Sequence, residues 1–118
     1  MKQDNVIRDK SYAFALSIVK LYQFLINEKK EFVLSRQILR SGTSIGANVE
    51  EAIGGQSGRD FQSKMAIAYK EARETHYWIR LLKDSDYLND EHSQPILSDC
   101  EELMKILGSI QKTMKIRN

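Results

Sequence analysis

Two seven-residue apolar repeats in the second half of the chain restrict its fold more than any other feature. Phe61, Met65, Ala68, Ala72, Thr75, Ile79 and Leu82 follow one another at spacings 4-3-4-3-4-3. Ile96, Cys100, Leu103, Leu107, Ile110 and Met114 follow at 4-3-4-3-4. This is the seam of α-helices that pack lengthwise at a shallow angle. The first half has the same period. One helix is predicted from about Asn5 to Glu28, with Ile7, Phe14, Ala15, Ile18, Val19, Leu21, Tyr22, Leu25 and Ile26 as its apolar residues. A second is predicted from about Leu34 to Ile53, with the stripe Ile38, Gly42, Ile45, Val49 and Ile53. No segment alternates like a strand.

The breaks between these segments carry helix punctuation. Gly54 and Gly55 follow the second helix, where glycine closes a C-terminus. Ser57, with Asp60 three residues on, is a variant of the capping box for the third. The polar stretch from Lys83 to Gln94 holds the last turn of helix three and a loop, and Pro95 suits the first turn of helix four. The expected architecture is all-α, an antiparallel up-down-up-down four-helix bundle forming one domain over residues 1–118. A chain of this length buries a core without a metal or disulfide staple.

Composition narrows the function classes. The lone Cys100 has no intramolecular partner, fits a reducing compartment, and lies on an apolar stripe where a core role is expected of it. The opening MKQDNVIRDK lacks a secretory apolar core, and no apolar run approaches the roughly 18 residues of a membrane span. A cytoplasmic protein with no membrane contact is expected. The net charge of +2 gives no general argument for nucleic acid, but its distribution is uneven. Residues 1–59 carry nine basic and six acidic side chains, a balance of +3, and residues 60–118 carry nine and ten, a balance of −1. No acid follows Glu102, whereas Lys105, Lys112, Lys115 and Arg117 do. These cations complement the dipole of a helix C-terminus, and they are also the candidate phosphate contacts for RNA.

Signatures of catalysis and of metal binding are missing. A carboxylate-bridged metal site in a bundle uses Glu-x-x-His, but Arg73 and Asn89 stand three residues before His76 and His92. Gly42 and Gly46 form no phosphate-binding loop and are expected to admit a neighbouring helix. No catalytic residue, metal or cofactor is assigned. One polar constellation stands out. Arg40, Ser44, Asn48 and Glu51 lie along one side of helix two, and Glu74 on helix three is placed to face them. Buried, they would form a network fixing helix register, with Glu51 compensating a buried cation. In a cleft they would bind a ligand, and Glu51 with Glu74 could in principle do acid–base work.

The same residues carry a resemblance. Gln37-Ile-Leu-Arg40-Ser-Gly-Thr-Ser44-Ile-Gly-Ala-Asn48-Val-Glu-Glu51-Ala resembles the signature of the bacterial four helix bundle protein family, also called the 23S rRNA intervening-sequence protein family. The likeness continues through Phe61 and from Ala66 to Glu74. It implies that Gln37, Arg40, Ser44, Asn48, Glu51 and Glu74 are the family's recurrent polar positions. Ala52 departs from the pattern, which commonly has glycine there. The family name reflects genomic context and does not put the chain in a ribosome. The resemblance also implies a ring-shaped homopentamer, and through a related accessory protein of diversity-generating retroelements it points towards RNA and a protein partner.

Assembly is expected on independent grounds. Phe14, Leu16, Leu21, Phe24 and Leu25 spread apolar surface around helix one, and Tyr69, Tyr77 and Trp78 add more beside the helix-three seam. The expected function is that of a non-enzymatic homo-oligomeric interaction module binding RNA or an RNA–protein complex through Lys105, Lys112, Lys115 and Arg117. No aromatic base-stacking platform is expected beside these cations. The alternatives are a scaffold that binds only a protein partner and an enzyme using Glu51 and Glu74.

Overall fold

The computed structural model describes the backbone of residues 2–55 and 57–117 and the side chains of residues 5–55 and 57–115. Its helices are α1 (Lys2–Asn27), α2 (Leu34–Ile53), α3 (Gly58–Asp84) and α4 (Asp90–Arg117). α1 packs on α2 and α4, and α3 packs on the same two helices. Joined by short connections, they form the antiparallel up-down-up-down bundle that the periodicity predicts. No strand occurs among the described residues. The bundle measures 46 × 21 × 19 Å, its length set by α4, whose 28 residues rise about 42 Å at 1.5 Å each.

The heptad seams are the core. Met65, Ala68, Ala72, Thr75, Ile79 and Leu82 are buried on α3, and Cys100, Leu103, Leu107 and Ile110 on α4. α2 contributes Ile38, Gly42, Ile45 and Val49, but its last core residue is Ala52 rather than the expected Ile53, which is exposed. The step of three from Val49 to Ala52 keeps the seam in line, whereas a further step of four rotates off it. For the same reason Val19, one residue past the fully buried Ile18, points outward.

Helices α1 and α2 approach closely because of two glycines. A Cβ on Gly42 would lie 2.7 Å from Ile18 Cγ1, and one on Gly46 would lie 3.3 Å from the Ser11 carbonyl oxygen. Ala52, where the resemblance leads one to expect glycine, is accommodated as a buried methyl.

The start of α2 depends on Glu31, the last residue of the charged break from Asn27 to Glu31 that separates the first two helices. The Glu31 carboxylate accepts the backbone N–H groups of Val33, Leu34 and Ser35, the last at 2.7 Å, and so satisfies the otherwise unpaired donors of the first turn. Burial pushes the Glu31 carboxyl up, but the Leu34, Ser35 and Val33 hydrogen bonds together outweigh it and hold the group below its ordinary value. A carboxylate with a depressed folded-state pKa adds stability that is complete above the unfolded value, near 4.5, and is lost as pH falls through the folded value. Glu31→Ala should lower stability at neutral pH by about 0.5–2 kcal/mol, the usual worth of a helix cap. The gap from wild type should close as the solution is acidified below that range, which denaturant titrations at several pH values would read.

At α3 the expected cap is present, with Ser57 Oγ accepting the Asp60 N–H at 3.1 Å. α4, in contrast, begins at Asp90 rather than at Pro95. Asn89 caps it by accepting the His92 N–H at 2.8 Å, and Asp90 and Glu91 lie in its first turn, where the dipole favours acids. Pro95 therefore falls in the second turn, where it removes one backbone hydrogen bond without ending the helix.

Candidate functional site

The polar row of α2 is present, but its members do not form one network. Arg40 reaches α3, where its Nη1 donates to Glu71 at 3.1 Å and its Nη2 to Glu74. Glu74 also accepts the Trp78 indole N–H at 2.9 Å. That hydrogen bond, with the Arg40 charge, holds the Glu74 carboxyl below the usual range, and Glu74 in turn raises the Arg40 guanidinium. Ser44 and Asn48 form a separate local pair, the Asn48 amide donating to the Ser44 carbonyl and hydroxyl at 2.9 and 3.0 Å. Glu51 binds Lys64 at 2.9 Å. Gln37 points to solvent.

Two expectations are corrected here. Within the single chain the row is not a buried network, since the Arg40 and Glu51 side chains are 53% and 58% exposed. Nor do Glu51 and Glu74 form an acid–base pair. Their partners Lys64 and Arg40 are separate, and the ten residues between Lys64 and Glu74 span about 15 Å of helix axis. The physical reason lies on α3, which places Lys64 opposite Glu51, and Glu71 and Glu74 opposite Arg40. Glu51→Ala should accordingly change stability by no more than about 1 kcal/mol, as exposed ion pairs do. Glu74→Ala, which strands a partly buried indole N–H and one branch of the Arg40 fork, should cost more. Paired thermal melts test the order, and the reverse order would contradict it.

The lysines of α4 line the groove between α3 and α4. Lys105 lies with Tyr69, Glu101 and Met104 around a depression of about 410 Å³. Lys112 and Lys115 lie with Tyr69, Gly108 and Gln111 around an adjoining one of about 330 Å³. Tyr69 is common to both. The side chains of Lys2 and Arg117 lie outside the described residues. Glu101 faces this groove but is engaged by His76 Nε2 at 3.0 Å, and Glu102 turns to α1, where Lys10 holds it at 3.2 Å. Among the described residues, Lys105, Lys112 and Lys115 are in no ion pair. An aromatic ring, Tyr69, thus stands beside these cations, where the sequence made none evident. Tyr69 was read from its spacing as apolar surface beside the seam, and the signal for its placement is Gly108, against which the edge of the ring packs at van der Waals distance.

A second surface is apolar. Tyr12, Leu16 and Val19 on α1 are exposed and share one side of the helix at spacings of four and three. Tyr12 also lines a groove with Ala15, Thr43, Gly46, Ala47 and Glu50. Of the residues expected to spread apolar surface around α1, Phe14, Leu21 and Leu25 are core, while Leu16 is 51% exposed.

Cys100 is buried and donates through Sγ to the Ala72 carbonyl at 3.3 Å. Burial, with Glu101 and Asp99 nearby, pushes its thiol up to about 12, which fits the inert core role expected of it.

An antiparallel bundle whose second helix combines close-packing glycines with an outward polar row defines the class of protein. Residues 3–109 match the model of the 23S rRNA-intervening sequence protein family, and the chain belongs to that family. It is similar to a crystal structure of a protein of unknown function from the S23 ribosomal protein family of Bacteroides thetaiotaomicron, with 55% identity and a TM-score of 0.91 over 93% of this chain and 98% of that one. Among curated proteins, none matches. No helix among the described residues is long and apolar enough to cross a membrane.

Proposed function

We propose that the protein is a non-enzymatic, homo-oligomeric interaction module that binds RNA or an RNA–protein complex through the basic side chains of α4. The observation that carries the assembly half is the exposed apolar row Tyr12, Leu16 and Val19 beside a groove floored by small residues. Apolar patches of this kind mark interfaces, and a projecting row next to a small-residue groove suits a second copy of the same chain. A ring of five is the arrangement the family resemblance implies. The three described lysines of the α3/α4 groove support the RNA half, because unpaired cations release counterions from phosphate. Against a catalytic role stand the separated Glu51 and Glu74, the depressed Glu74 carboxyl and the raised Cys100 thiol.

The test is the binding of a labelled structured RNA, followed by fluorescence anisotropy across salt concentrations. Affinity should fall steeply as salt rises. Replacing Lys105, Lys112 and Lys115 with glutamine should weaken binding about equally for different sequences and reduce the salt slope by roughly one per lysine. Absence of binding at tens of micromolar protein, on the order of the weak non-specific range, would replace this reading with that of a scaffold for a protein partner.

A further inference from the structure

The structure assigns the α3/α4 groove as a site for unpaired RNA nucleotides, with Tyr69 as the base-stacking surface and Arg73, Lys105, Lys112 and Lys115 as phosphate contacts. This deepens the proposed RNA-binding reading and rests on it.

The site is built from both helices. Tyr69 is the one residue common to two adjoining depressions, and the three lysines sit along them. Their positions on α4, 105, 112 and 115, span ten residues, or about 15 Å of helix axis. A positively charged groove that tracks the backbone over a few nucleotides is how single strands are held. Arg73 holds the ring in place. Its Nη1 donates to the Tyr69 hydroxyl at 3.4 Å, and its guanidinium carbon lies 5.9 Å from the ring centroid. Gly108 lies against the edge of the ring, where an added Cβ would be in van der Waals contact with Tyr69 Cε1 at 3.7 Å, and the ring, half-buried, keeps its accessible part towards the two depressions.

The charge is mostly positive. Glu101, an acid lining the groove, is hydrogen-bonded to His76 and sets one negative charge against four cations. Arg73, Lys105, Lys112 and Lys115 take part in no ion pair among the described residues. A partly buried aromatic ring among cations that lack acidic partners is the combination that holds single-stranded nucleic acid, whose bases stack while its phosphates meet lysine and arginine. A duplex keeps its bases stacked inside and would meet the cations alone.

The experiment uses the full chain with a labelled oligouridylate of about ten nucleotides, followed by anisotropy at low salt. Tyr69→Ala should bind roughly 5- to 100-fold more weakly than wild type, the range that loss of one stacked base produces. Tyr69→Phe, which keeps the ring and its contact with the Arg73 guanidinium but loses the long Arg73 hydrogen bond, should retain most of the binding. Gly108→Leu, which puts a bulky side chain against the ring edge and into the depression beside Lys112 and Lys115, should weaken binding as Tyr69→Ala does, and circular dichroism of each variant should show unchanged helicity. A structured hairpin RNA held by charge should lose little affinity in Tyr69→Ala. If wild type binds RNA but Tyr69→Ala binds the oligouridylate equally well, the stacking site is overturned and the broader RNA reading stands. If wild type binds neither RNA, both fall. If an oligoglutamate peptide binds as tightly and with the same dependence on Tyr69, the groove is an acidic-peptide site and the assignment to RNA is overturned.

Discussion

On the proposed assembly through α1, Leu16→Glu should yield folded monomers. Leu16 is 51% exposed in the single chain, so a carboxylate there costs the monomer fold almost nothing. In an interface formed through Tyr12, Leu16 and Val19, the same carboxylate would be buried without a partner. An uncompensated buried charge costs about 3–5 kcal/mol, which weakens each contact by about two to four orders of magnitude. The expected outcome is a sedimentation profile shifted to the monomer with the circular dichroism spectrum of wild type. Leu16→Met, which keeps the apolar surface, should leave assembly intact. A Leu16→Glu variant that sediments like wild type would mean that subunits meet through another face.

The other large effect is expected at Gly42. A Cβ there would fall 2.7 and 2.8 Å from the two γ carbons of Ile18 and 3.1 Å from its δ carbon. Ile18 is fully buried and branched at the clashing end, so it has no open direction in which to turn. Alanine gains about 1 kcal/mol of helix propensity over glycine, which partly offsets an overpacking cost of about 1–3 kcal/mol. Valine regains less propensity and adds two more methyl groups. Gly42→Val should therefore lower stability by about 2–4 kcal/mol, visible as a melting temperature lower by roughly 6–15 °C for a domain of this size. The clash is specific, so Ile18→Ala should rescue it in part, and the double variant should be less destabilised than the sum of the singles. Simple additivity would mean that α1 and α2 relax apart.

The bundle was legible in the sequence because its determinants are local and periodic. The seams of α3 and α4 needed only spacing, and the bounds of α2 followed from the charged break before it and Gly54 and Gly55 after it. Where the reading failed, a stronger signal concealed a weaker one. Pro95 suggested a helix start, while the true cap, Asn89, looks like any other polar loop residue. Glu31 went unassigned because a glutamate folding onto the N–H groups of residues two to four places ahead matches no simple cap pattern.

The candidate site was legible in membership more than in grouping. The spacing placed Arg40, Ser44, Asn48 and Glu51 on one side of α2, but long side chains pair with whatever the facing helix offers. The facing residues proved to be Lys64, Glu71 and Glu74. Tyr69 was recognised as lying off its seam, yet only the packing of α3 on α4 reveals that it shares a groove with Lys105, Lys112 and Lys115. A helix repeat states which residues share a side, and the neighbour on that side is a property of the fold.

The central claim is that this chain acts as an assembly of identical subunits, and the mass of the wild-type protein tests it most directly. Sedimentation velocity at micromolar concentration and physiological salt should give a single species at a multiple of the 13.6 kDa chain mass, with five copies, 5 × 13.6 = 68 kDa, the size that the family resemblance implies. A single stable species at 13.6 kDa across that concentration range would contradict the account.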